Sequence, residues 1–119
     1  MMFYDVAIVG AGPAGTMTAK HLALRGLSTV ILEEHKAIGF PVQCAGLLGK
    51  KALSSCEVSE RCVLKKITGA NIFGPEGDKL SIGGGNVRAY VVDRRVLDTE
   101  MAKNAIEAGS DILLNFHVS

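Results

Sequence analysis

The residues best placed to do chemistry stand near the start of the chain, in the run Gly10-Ala11-Gly12-Pro13-Ala14-Gly15, which has G-x-G-x-x-G spacing. Each glycine in such a run has its own physical task. Gly10 permits a tight turn after a strand. Gly12, without a Cβ, lets a diphosphate approach the backbone, and Gly15 lets the following helix pack close to the strands. N–H groups at the helix start point at the anion, and the helix dipole adds about 0.3–1 kcal/mol. Pro13 fits because its missing N–H belongs to the open first turn. Spacing alone is weak support. Here the run follows an apolar strand and opens a helix, and Glu33 lies 18 residues beyond Gly15, which is the context a dinucleotide cradle needs. Glu33 is expected to accept the ribose hydroxyls of an adenosine. Glu34 follows it with no Arg nearby to balance a 2′-phosphate, which disfavours NADP. The competing reading is a Gly-rich turn that holds nothing. FAD and NAD share an ADP half, so the turn does not choose between them.

The elements that must position these residues can be read from pattern. Phe3–Val9 and Ser28–Leu32 are short β-branched runs suited to buried strands, and Pro13–Arg25 is a helix closed by Gly26. Together they form a βαβ unit with parallel strands. Residues 35–49 are a Gly/Pro loop, and a short helix covers Lys50 to Cys56. Ile67–Phe73 and Lys79–Ile82 flank Gly74-Pro75-Glu76-Gly77-Asp78, a β-hairpin with a long turn that Gly83-Gly84-Gly85 ends. Ala89–Val92 is a strand, and Asp93 is a candidate N-cap for a helix to Ala108 that carries Leu97, Met101 and Ala105 on one face. Gly109 stops that helix. Ile112–Val118 is a third parallel strand, with Leu114, Phe116 and Val118 on one face. The expected class is α/β: a Rossmann-like dinucleotide-binding domain of three parallel strands with an inserted hairpin, incomplete at its end.

Composition narrows the function. The chain has 119 residues, 48% of them apolar, with 13 basic against 12 acidic side chains for a net charge of +1. That suits one small globular domain and gives no electrostatic case for a nucleic-acid partner. No apolar run approaches the roughly 20 residues that span a bilayer, and the N-terminus has no basic region of a signal peptide. The cytoplasm is therefore the expected compartment. Cys44, Cys56 and Cys62 are odd in number and form no C-x-x-C, against a disulfide scaffold or a zinc site; Cys56 and Cys62 are expected to be buried fillers. His21 falls on the first helix as a solvated residue. His35 and His117 have no partner at metal-ligand spacing, so no metal is expected. Neither a Ser-His-Asp set nor a carboxylate pair is present to name as catalytic. The pairs Lys50-Lys51 and Lys65-Lys66 are expected to be solvated faces.

The segment Gly39-Phe40-Pro41-Val42-Gln43-Cys44-Ala45-Gly46 resembles the Pro-x-x-Cys-Ala loop of the geranylgeranyl reductase family of flavoproteins, notably the archaeal digeranylgeranylglycerophospholipid reductases. Asp93-Arg94-Arg95-Val96-Leu97-Asp98 is similar to that family's Asp-Arg-x-x-Phe/Leu-Asp at a helix start. The resemblance covers the whole chain, yet corresponds only to about the first third of a family member. It implies that residues 1–119 are the N-terminal part of an FAD/NAD(P)-binding domain, that FAD is the cofactor, and that a substrate domain is absent. By the same resemblance Ala14 would touch the pyrophosphate and Glu33 the ribose. Cys44 and Ala45 would lie beside the flavin ring, with Gly46 and Leu47 continuing the loop. Arg94 would contact FAD from its helix, and the Val118 backbone would face the adenine. Cys44 is a candidate reactive thiol, although no adjacent His or Lys lowers its pKa. Many family members read Cys-x-Glu-Gly where this chain has Cys44-Ala45-Gly46-Leu47, so the glycine comes one position early.

The resemblance implies a flavin-dependent reduction of isoprenoid double bonds in an archaeal-type lipid by the intact enzyme, at the membrane periphery and with an electron donor the sequence does not name. The alternatives are another flavoprotein of this architecture, such as a hydroxylase, a halogenase or an electron carrier, and a truncated module that binds a dinucleotide without catalysis. An open sheet edge and uncovered apolar faces point to homo-oligomers or a completing partner chain.

Overall fold

In the computed structural model, which describes residues 2–119, the chain divides into two compact units. One takes Met1–Gln43 and Arg94–Ser119, and the other takes Cys44–Asp93.

The first unit is built on three parallel strands, β1 (Val6–Val9), β2 (Thr29–Leu32) and β8 (Asp111–Leu113), with β2 in the middle. Their registers pair Ile8 with Ile31, and Ile31 with Ile112. Helices α1 (Pro13–Leu24) and α3 (Arg94–Glu107) pack against each other. The core is made of small and branched residues: Ala11, Ala19, Ile31 and Ala105 are buried, with Ile8, Ile38 and Ile112 against them. Leu97, Met101 and Ala105 of α3 are buried together, as their spacing predicts. Both helices end as their glycines predict. Gly26 and Gly109 have positive φ, and the N–H groups of Leu27 and Ser110 reach back to the carbonyls of Leu22 and Ala105. That closure satisfies carbonyls the last turn would otherwise leave open.

Two strands are shorter than the pattern predicts. The first starts at Val6 and leaves Phe3 exposed, because Asp5 is held otherwise. Its N–H meets the Ser28 carbonyl at 2.9 Å, and its carboxylate accepts the Ser28 N–H at 2.8 Å and the Ser28 hydroxyl at 2.9 Å. This side-chain clasp replaces the ladder at that end. The third strand stops at Leu113, five residues before the expected end at Val118. Asn115 takes φ +55, a left-handed conformation that no strand continues and that Asn tolerates better than most residues. The N–H groups of Asn115 and Phe116 then turn to the carbonyls of His35 and Glu33. Leu114, Phe116 and Val118 therefore do not share a strand face. They are exposed, and Val118 lies in a loop.

The second unit is more β-rich than a single inserted hairpin. An antiparallel sheet joins β3 (Leu47–Gly49), β7 (Ala89–Val92) and β4 (Val63–Ile67), with β7 central, and helix α2 (Lys50–Ser55) follows β3. The hairpin is β5 (Gly69–Phe73) with β6 (Lys79–Gly83), pairing Ile72 with Leu80. The run expected from Ile67 to Phe73 is thus split at Thr68: Ile67 pairs with Ala89 in one sheet, while Gly69 pairs with Gly83 in the other. Cys62 is fully buried as expected, whereas Cys56, capping α2, is only half-buried because it ends a short surface helix.

Candidate functional site

In the first unit, β1 delivers the chain into the glycine turn. Gly10 has φ +96, and its N–H bonds the Leu32 carbonyl at 2.8 Å, which ties the turn to the end of β2. A Cβ at Gly15 would overlap the Gly10 carbonyl oxygen and lie 3.3 Å from the Ile8 Cγ2, so this position fixes how closely α1 approaches β1. Gly12 is different. A Cβ there would meet no atom within 4 Å, so nothing in the fold itself demands glycine. Thr16 is the first residue of α1 whose N–H bonds back along the chain, to the Gly12 carbonyl at 3.0 Å. The amides of Ala14 and Gly15 belong to the open first turn. Pro13 occupies the first helical position, as its spacing predicts.

Glu33 follows β2 and turns back to this loop. Its Oε2 accepts the Ala11 N–H at 2.7 Å, and its Oε1 accepts the His35 N–H at 3.0 Å and the His35 Nδ1 proton at 2.6 Å. Burial pushes the Glu33 carboxyl upward, but the N–H groups of Ala11 and His35 and the imidazole outweigh it, so it sits below the ordinary carboxylate range. The carboxylate is charged at neutral pH and bound to the glycine turn. Beside it is a cleft of about 310 Å³ lined by Val9, Gly10, Leu32, Glu33–His35 and Phe116–Val118. The Asn115 turn brings residues 116–118 to this place, and Glu34 Oε2 meets His117 Nδ1 at 2.9 Å. Val118 thus lines this cleft from a loop rather than from a strand end. His35, Phe116 and His117 are cleft residues that motif spacing misses. The adjacency Glu33-Glu34-His35 at a strand end is the available signal for the first of them. Among the described residues no group of side chains could hold a metal ion.

Arg94 starts α3, and its Nε and Nη2 donate to the two oxygens of Asp98 at 2.8 and 3.0 Å. That ion pair, one helical turn long, is the alternative to a cofactor contact for this guanidinium. The loop before it packs closely: Gly39 lies against the Arg95 backbone, and the Arg95 guanidinium sits 5.8 Å from the Phe40 ring centre.

The Cys44–Leu47 segment belongs to the second unit. Cys44 and Ala45 are exposed, and the Cys44 Sγ accepts the Gly46 N–H at 3.4 Å. Gly46 is buried at φ +72, where a Cβ would overlap the Val92 carbonyl oxygen, and its own carbonyl accepts the Val92 N–H. Leu47 begins β3 opposite Val91. The early glycine therefore has a structural cause: at this position the loop backbone presses against β7.

A family model for an FAD binding domain matches residues 3–43, the stretch holding the glycine turn and Glu33. Digeranylgeranylglycerophospholipid reductase of Methanosarcina mazei is 39% identical over 92% of this chain and 28% of its own length. Digeranylgeranylglycerophospholipid reductase 1 of Methanococcoides burtonii is 38% identical over 98% of this chain and 29% of its own. The chain is thus similar to digeranylgeranylglycerophospholipid reductases along most of its own length. The crystal structure of a geranylgeranyl bacteriochlorophyll reductase-like protein from Thermoplasma acidophilum superimposes on it with TM-score 0.85 and 31% identity, covering 94% of this chain and 30% of that one. A myxobacterial chondrochloren halogenase, at 22% identity and TM-score 0.71, shares the fold. The chain spans under a third of the length of the curated relatives it matches.

Proposed function

We propose that this chain holds the ADP portion of FAD, and that in a full-length reductase of this family the bound flavin reduces isoprenoid double bonds of a geranylgeranyl lipid. The observation that carries the reading is the pairing of an open Gly12 with a charged carboxylate fixed beside it. The turn has room for a diphosphate where a Cβ would meet nothing, and Glu33 is anchored to the neighbouring Ala11 amide at 2.7 Å. The residues present fit the group. Gly10, Gly12, Pro13, Ala14 and Gly15 would form the diphosphate cradle. Glu33 would take the ribose, and the cleft ending at Val118 would take the adenine. Cys44, Ala45, Gly46, Leu47 and Arg94 are assigned to the flavin side on the family resemblance. FAD supplies the hydride chemistry when bound; the protein binds, orients and tunes it.

In this reading residues 1–119 are the N-terminal part of the FAD-binding domain. The lipid substrate and an electron donor of unassigned identity are the enzyme's partners, together with a second copy or a completing chain. The place of work is the cytoplasm at the membrane periphery. Among the described residues no helix is long and apolar enough to cross a membrane. A titration with ADP followed by backbone amide NMR tests the reading. The expected result is saturable shifts at Gly12, Ala14, Gly15 and Glu33. Shifts confined to residues outside this turn and its cleft would refute it.

A further inference from the structure

The hydrogen-bond inventory of Glu33 goes further than its role as a ribose acceptor. An ionised carboxylate offers about four lone-pair directions and donates nothing. Three are already taken: Oε2 by the Ala11 N–H at 2.7 Å, and Oε1 by the His35 N–H at 3.0 Å and His35 Nδ1 at 2.6 Å. Because the carboxylate only accepts, Nδ1 carries the proton. Oε1 is therefore saturated, and one direction remains, on Oε2. A ribose presents two vicinal hydroxyl donors to this single acceptor site. The imidazole is held to Glu33 by its own 2.6 Å bond, while its other nitrogen lies 3.9 Å from the Glu34 carboxylate, beyond hydrogen-bond reach, and Glu34 meets His117 at 2.9 Å. The Glu33 side chain is 12% exposed and that of His35 44%, so the pair sits at the rim of the cleft with the carboxylate inside.

We propose that His35 is a specificity-determining residue: by saturating Glu33 Oε1 it restricts the carboxylate to one ribose hydroxyl. This rests on the reading of Glu33 as the ribose acceptor. The test is calorimetric titration of the 119-residue chain with ADP, 2′-deoxy-ADP and 3′-deoxy-ADP. It uses the wild-type chain, His35→Ala, His35→Phe, His35→Asn and Glu33→Ala. The penalties that count are those abolished in Glu33→Ala. In the wild type, one deoxy analogue is expected to bind about five-fold more weakly than ADP and the other equally well. His35→Ala and His35→Phe, which free a lone pair on Oε1, are expected to lose affinity for both analogues. His35→Asn keeps an N–H donor at the Nδ1 position and should restore the one-hydroxyl pattern. Penalties for both analogues in the wild type, or an unchanged one-hydroxyl pattern in His35→Ala and His35→Phe, overturn the proposal and leave the reading of Glu33 standing. Absence of any penalty in the wild type, or penalties that survive in Glu33→Ala, overturns that reading and the proposal with it.

Discussion

The Ala11 amide and the Glu33 carboxylate, 22 residues apart, meet at 2.7 Å and join the glycine turn to the end of β2. Two backbone N–H groups and an imidazole favour the charged form of Glu33, so its folded-state pKa lies below its unfolded one. The sign follows from linkage. The stabilisation is fully present above the unfolded carboxylate value of about 4.3 and is lost as pH falls through the lowered folded value. Glu33→Gln should therefore flatten the acid limb of a stability–pH curve measured by denaturant titration. An acid limb identical to that of the wild type would contradict the linkage.

A buried hydroxyl relay ties the first unit together. Ser110 donates to the Ala19 carbonyl at 3.1 Å, so its one proton is committed, and the 2.6 Å bond to Thr29 must have Thr29 as donor. Thr29 and Ser110 are both buried. Ser110→Ala leaves the Thr29 hydroxyl without its acceptor and Ala19 without its donor, at a cost of about 1–3 kcal/mol. Urea unfolding measures it, and a change within error would show that the relay stabilises nothing.

At Gly15 the constraint is steric. A methyl group would overlap the Gly10 carbonyl oxygen, and backbone does not yield as a side-chain tip does. Gly15→Ala should lower stability by about 1–3 kcal/mol or more, seen as a fall in thermal midpoint. An unshifted midpoint would mean that α1 can move away from β1 at no cost.

The wall of the cleft depends on one backbone conformation. Asn115 at φ +55 turns the chain so that Phe116–Val118 face Glu33 and Glu34. Asn115→Ala should destabilise the chain by about 1 kcal/mol, while Asn115→Gly should be close to neutral. Equal effects of the two substitutions in a denaturant series would remove the conformational explanation.

The limits of sequence reading have physical causes here. The βαβ unit, α3 and both helix-ending glycines were legible because each depends on local pattern: short β-branched runs, apolar spacing at 97, 101 and 105, and a residue free to take positive φ. The third strand was read five residues too long because Ile112–Val118 alternates as a strand would, and only contacts with Glu33 and His35 make Asn115 turn. β4 was hidden because Lys65-Lys66 interrupts its apolar pattern, and its partner β7 lies more than twenty residues away. The glycine turn and Glu33 were visible as a spaced motif. His117 was not, because its pairing with Glu34 exists only once residues 115–117 return to β2, and His35 was not because a contact two residues along from Glu33 lies outside the spaced motif.

Gly12 allows the most direct measurement. It lies at φ −73 in extended backbone with open space where a side chain would project, so Gly12→Val should leave the fold and its thermal midpoint unchanged. The valine would fill the space assigned to the diphosphate. Calorimetry with ADP on the wild-type and Gly12→Val chains, both checked for equal midpoints, should show binding to the first and none to the second. Equal affinity of the two folded chains would mean that this turn is not where the dinucleotide sits.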